Sequence, residues 1–92
     1  MSVNIGGITF DRVSYDEDAD VLYLHRADPD EAVGFDESPE GHHLRFDRQG
    51  RLIGITIVRP GWLLENKGEV LITLPEQVSV DRETLGRALT AA

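Results

Sequence analysis

The stretch Arg51-Leu52-Ile53-Gly54-Ile55-Thr56-Ile57-Val58-Arg59 is the clearest strand in the chain. Ile53, Ile55 and Ile57 recur at period two, with Gly54 and Thr56 on the opposite face. Pro60-Gly61 stops the run. A glycine inside a strand weakens it, so Gly54 predicts close approach of another backbone or of a large ring. Upstream, Asp47-Arg48-Gln49-Gly50 closes a hairpin, Gly50 suiting a left-handed turn position. The preceding run, His42 to Asp47, alternates, with Leu44 and Phe46 on one face and His43 and Arg45 on the other. These signals specify an antiparallel sheet.

Toward the amino terminus, Val13-Ser14-Tyr15 and Asp20 to His25 flank a polar stretch and read as another hairpin. In its second arm Val21 and Tyr23 point one way and Leu22 and Leu24 the other, which predicts a strand covered on both faces. Ile8 and Phe10 are out of phase with Val13 and Tyr15. Either a bulge at Asp11-Arg12 shifts the register, or residues 5–10 form a separate piece. Asp28-Pro29-Asp30 reads as a turn, Glu31 to Phe35 as a third strand, and residues 36–41 as another turn.

Past the central strand, Trp62 to Glu65 reads as a short helix ending near Gly68 or as a hairpin arm turning at Asn66-Lys67-Gly68. The hairpin is favoured, because Glu69 to Leu74 is a good strand with Val70, Ile72 and Leu74 on one face. Asp81 is a fitting N-cap for a helix from Arg82 to about Thr90. Val80 and Leu85 occupy the hydrophobic-staple positions, and Leu85, Ala88 and Leu89 form the apolar stripe. The expected fold is α+β: one domain over residues 1–92, an antiparallel β-meander of five to six strands with one C-terminal helix packed on the sheet. Such a helix is about 14 Å long and cannot cover both faces. A homodimer is therefore expected, burying the remaining face or pairing an edge strand.

The chain has 92 residues, with 9 Lys+Arg against 17 Asp+Glu and a formal net charge of −8. Residues 1–46 hold 11 acids and 3 bases, whereas residues 47–92 hold 6 of each, so the excess sits in the first half. That half would repel phosphate backbones and anionic membranes, which argues against direct nucleic-acid or membrane binding. It favours a basic protein or a metal cation. The absence of cysteine excludes disulfides, thiolate nucleophiles and iron–sulfur clusters. The amino terminus has neither a basic nor an apolar signal region, and no apolar run approaches the ~20 residues of a membrane span. A cytoplasmic location is expected.

Two runs carry a resemblance. Tyr15-Asp16-Glu17-Asp18-Ala19-Asp20-Val21-Leu22-Tyr23-Leu24 and, about 30 residues on, Phe46 to Ile57 together resemble the small bacterial family called domain of unknown function 2283. Its pattern is a Tyr-Asp-x-x-x-Asp-x-Leu-Tyr hairpin followed by an Asp-x-x-Gly-Arg-hydrophobic-x-Gly-Ile strand. The resemblance covers residues 13–59. It implies an unassigned function, with an antitoxin-like role for members that look like partners of ribonuclease-type toxins. The family commonly has an acidic residue where Thr56 stands, and this chain continues with a further strand and helix after Trp62.

Candidate function sits in the acidic turns. Asp16, Glu17, Asp18 and Asp20 place four carboxylates in five residues. The Asp-x-Asp-x-Asp spacing opens like a calcium loop, but Val21 stands where that loop needs glycine and Ala27 where it needs glutamate. A simpler divalent-cation site on Asp16, Asp18 and Asp20, with Glu37 or Glu40, remains an alternative. In a meander the turns at 16–19 and 37–40 share one end of the sheet, about 10 Å apart. Asp16, Glu17, Asp18, Asp20, Glu37 and Glu40 then form an acidic pole for a basic partner, with Trp62, the sole tryptophan, as a binding anchor or a core plug. His42 and His43 point to opposite faces of a strand and do not grip one ion; His25 meets either only if their strands come together. No nucleophile elbow, phosphate loop or buried carboxylate pair supports catalysis, and no cofactor is expected. The leading reading is a non-enzymatic acidic protein-binding module. The divalent-cation protein is the alternative, and a small hydrolase without a recognisable motif the third.

Overall fold

The structure is a computed structural model and describes residues 1–90. Nine strands and two helices follow one another as β1 (Val3–Ile5), β2 (Ile8–Phe10), β3 (Arg12–Asp16), β4 (Val21–His25), β5 (Gly34–Glu37), β6 (His43–Phe46), β7 (Leu52–Val58), α1 (Pro60–Lys67), β8 (Glu69–Thr73), β9 (Gln77–Asp81) and α2 (Arg82–Thr90). The class is α+β, as expected. A five-stranded antiparallel sheet is accompanied by two separate hairpins, β1–β2 and β8–β9. The segment around Ile8 and Phe10 is thus its own hairpin, not a bulged extension of β3.

The sheet order is β3-β4-β7-β6-β5, which departs from a strict meander. β7 inserts between β4 and β6 because it is the one strand buried on both faces from Leu52 to Ile57. The central position gives it a neighbour on each edge, and on the face without a packed layer the side chains of those neighbours shield it, the His25 ring over Gly54 and Arg45 Nη1 donating to Thr56 Oγ1 at 3.0 Å. The expectation that β4 would be covered on both faces is corrected. Leu22 and Leu24 are buried, but Tyr23 is 42% exposed. The apolar stripe of β7 also shifts. Between Arg45 and Phe46 the register slips, so Phe46 pairs with Leu52. Leu52, Ile55 and Ile57 enter the core cluster, and Ile53 is buried outside it.

One face of the sheet carries Leu22, Leu24, Leu44, Leu52, Ile55 and Ile57. Against it pack Ile5 and Phe10 of the first hairpin, Val70, Ile72 and Val80 of the last, Leu64 of α1, and Leu85 and Ala88 of α2. Each such large side chain contributes about 1.5–3 kcal/mol of burial. Asp81 Oδ1 accepts from the Thr84 N–H at 2.8 Å, fixing the start of α2 at the expected residue.

Two expectations give way and one strand is new. Residues 60–67 form a helix, not a hairpin arm. Pro60 opens it with its φ already suited to a helix, and Gly68 closes it in the left-handed region at φ 77°. The strand placed at residues 31–35 starts later, at Gly34, because Pro29–Glu31 makes a 3-10 turn capped by Asp28. A strand over Gln77–Asp81, unmarked in the sequence reading, pairs with β8.

The other face of the sheet is open. Two cross-strand rows lie on it: Arg12, His25, Gly54, Arg45 and Phe35, then Ser14, Tyr23, Thr56, His43 and Glu37.

Candidate functional site

The acidic turns do lie at the same end of the sheet, because β3 and β5 run in the same direction. With β7 between their hairpins they are about 14 Å apart, three strand spacings instead of two. α1 leaves β7 at this same end, so the pole comprises the 17–20 turn, the start of α1 and the 38–42 turn.

Asp20 organises it. Its backbone is left-handed, φ 53°. Its carboxylate accepts from the Tyr15 hydroxyl at 2.7 Å and from the backbone N–H groups of Gly61 at 2.9 Å and Trp62 at 3.0 Å. Its carbonyl accepts from the Arg59 N–H at 2.8 Å. The Asp20 side chain thus caps α1 from about 40 positions away in the chain. Burial raises the carboxyl pKa, but the Tyr15 bond, the two N–H groups and the Arg59 charge outweigh it and hold it below the ordinary range. Tyr15 is pushed up to about 12 by burial, by its bond to Asp20 and by the neighbouring carboxylates. A Cβ on Gly61 would lie 3.0 Å from Asp20 Oδ1 and 3.2 Å from the Tyr15 hydroxyl, so the close approach needs glycine.

The expected site residues therefore divide. Asp20 is spent on the fold. Glu40 is too: it accepts from the Thr73 N–H at 3.1 Å, the Thr73 hydroxyl at 2.7 Å and Gln77 Nε2 at 3.0 Å. Against the effect of burial, those donors pull its pKa down to about 2. Asp16 makes a local turn by accepting the Ala19 N–H at 3.1 Å. Glu17, Asp18 and Glu37 are exposed. Trp62 is 44% exposed beside the 17–20 turn, with the Arg59 guanidinium 5.2 Å above its ring centroid. It lies on the surface at the pole and does not plug the core.

Cation chemistry finds no assembled ligand set: among the described residues no group of three or more His, Cys, Asp or Glu is placed to hold a metal ion. Asp20 turns toward α1, its carboxylate taken by the Gly61 and Trp62 N–H groups. The histidines separate as expected. His42 is buried, its Nδ1 accepting from the Val58 N–H at 3.1 Å while the ring also engages the Leu71 backbone. His43 is exposed on the open face. The His25 ring lies over Gly54, where a Cβ would meet it at 2.9 Å, so of the backbone or large ring expected against Gly54 it is a ring, this imidazole. Burial, then the charges of Arg45 and Arg12, lower the His25 pKa.

One feature had no sequence signal. An apolar groove of about 450 Å³ runs beneath β5 and β6, lined by Ile8, Leu44, Phe46, Leu52, Leu74 and Pro39, with Asp36 and Glu37 alongside. Its walls come from five separate stretches of chain, which no local pattern brings together.

A family model described as a protein of unknown function (DUF2283) matches residues 12–59, the whole five-stranded sheet from Arg12 to the residue before α1. No curated protein and no solved structure matches the chain.

Proposed function

The chain belongs to the DUF2283 family of proteins of unknown function, and from that premise and the geometry of its acidic pole we propose a non-enzymatic module that docks a basic protein partner. One observation carries this reading: Trp62, 44% exposed, is bonded through its backbone to Asp20, whose turn also carries the exposed acids Glu17 and Asp18. An exposed aromatic side chain at a pole whose exposed turn is acidic suits a partner of opposite charge, even with the Arg59 guanidinium over the ring. An antitoxin-like role is the version that the family resemblance implies, and it needs no more chemistry than this.

The test separates docking acids from structural ones. A Glu17→Gln, Asp18→Asn variant should keep its melting temperature, since surface changes away from structural contacts stay within about 0.5 kcal/mol. It should also fail to retain, at low salt, the basic protein that the unaltered chain retains and releases as salt rises. Equal retention by the variant would overturn the proposal. Asp20→Asn should instead destabilise the fold by about 1–3 kcal/mol, because the cap loses its charge.

Self-association is a second reading, favoured by Tyr23 and Phe35, 42% and 70% exposed on the open sheet face. Sedimentation that shifts with concentration, and that Tyr23→Glu abolishes, is the expected result.

A further inference from the structure

We infer that the free edge of β5 and the groove beneath it form a strand-addition site, which takes an extended segment of the partner with apolar and basic residues in alternation. The inference rests on the docking reading above and names its mode. β5 ends the sheet, and no described strand pairs with its outer side; the Glu37 N–H donates to Asp36 Oδ1 at 2.8 Å, a local bond that an added strand would replace. An unpaired edge is a template for another strand, which gains main-chain hydrogen bonds along it. Both faces beside this edge offer apolar contact. On the open face Val33 and Phe35 are 55% and 70% exposed. On the core face the groove, about 450 Å³ and walled by Ile8, Leu44, Phe46, Leu52 and Leu74, lies below the same strand. That volume falls within the range of roughly 300–1,000 Å³ usual for sites that engulf a ligand group. A sixth strand would direct alternate side chains down into the groove and up against Phe35.

Charge decides the occupant. Asp36 and Glu37 stand on the edge itself, both exposed. They oppose an acidic strand and favour one carrying lysine or arginine. A second copy of this chain fits poorly. Antiparallel pairing of β5 with itself about a two-fold axis normal to the sheet would present Gly34 and Asp36 to the groove. That leaves the apolar cavity with no side chain or with a carboxylate. Each copy also brings a net charge of −8.

The probe is a short synthetic peptide alternating leucine and lysine, added to the isotopically labelled full chain while amide chemical shifts are followed. A serine–lysine peptide of the same length and charge is the control. The expected result is a set of shifts at residues 33–37, 44–46 and 74 with the leucine peptide alone. Asp36→Lys should weaken its binding by about tenfold. Leu74→Phe, which fills the groove from a half-buried position, should weaken it similarly; unchanged dispersion in the free variant's spectrum confirms its fold. Shifts confined to residues 16–18 and 62, equal for both peptides, would overturn the strand site and leave the acidic pole standing. No shifts with either peptide would overturn both readings. Self-association of the chain through β5, abolished by Phe35→Ser, would assign the edge to a second copy and overturn the inference.

Discussion

Gly54 and His25 show how one residue's absence of a side chain is another's place. A Cβ at position 54 would lie 2.9 Å from the His25 ring, closer than real contacts allow. Gly54→Ala should therefore destabilise the chain by about 1–3 kcal/mol through overpacking. With His25→Ala already present the same change should cost far less, and a double-mutant cycle by denaturant unfolding measures that coupling. The need for a small residue at 54 was legible in the sequence; the identity of its neighbour was not, because strand order decides it. The same holds for the acids. Composition marks Asp16, Asp18, Asp20 and Glu40 alike, yet Asp20 and Glu40 accept three side-chain-directed bonds each and belong to the fold.

The two helices differ in how they are specified. α2 carries its instructions locally: Asp81 caps it, Val80 and Leu85 are buried as a staple, and Ala88 extends the stripe. It was legible for that reason, and Asp81→Ala should cost about 0.5–2 kcal/mol, read as a lowered denaturation midpoint at unchanged slope. α1 carries only Pro60 and Gly68. Its cap arrives from Asp20 on a different hairpin, and its apolar residues make no clear stripe, so local reading favours a strand. β9 was hidden differently, its short run lying directly against the α2 start signals.

Across the whole molecule the buried and bonded titratable groups set a pH profile. Glu40 has its pKa lowered to about 2 from an ordinary 4.5. Its stabilisation is present above the ordinary value and lost as pH falls toward the lowered one, because the unfolded chain takes up the proton first. Asp20 acts in the same sense. His42 is lowered from 6.5, chiefly by burial, so below that value the unfolded chain again gains the proton first. Stability should therefore fall in two stages on acidification, the first below pH 6.5 and the second in the carboxylate range. His25, lowered in the same direction, shares the first stage, so His42→Gln should shrink it and His42→Gln with His25→Ala should remove it in melting curves taken across pH. The α+β class, the hairpins and the central strand follow from periodicity and turn chemistry. The groove and the strand order do not, since both arise only when distant segments meet.

The Asp20 clasp has a consequence for the order in which the chain comes together. Asp20 and Gly61 stand 41 positions apart. The bond between them cannot form until β7 has settled beside β4, which makes it a late event in folding. Once closed, it ties the first turn of α1, on the molecular surface, to the turn between β3 and β4, beside the most buried strand. The amides of Gly61 and Trp62 should then exchange with solvent deuterium as slowly as those of β7. In Asp20→Asn they should exchange far faster than β7, a gap that would identify α1 as a unit that opens on its own when its latch is removed.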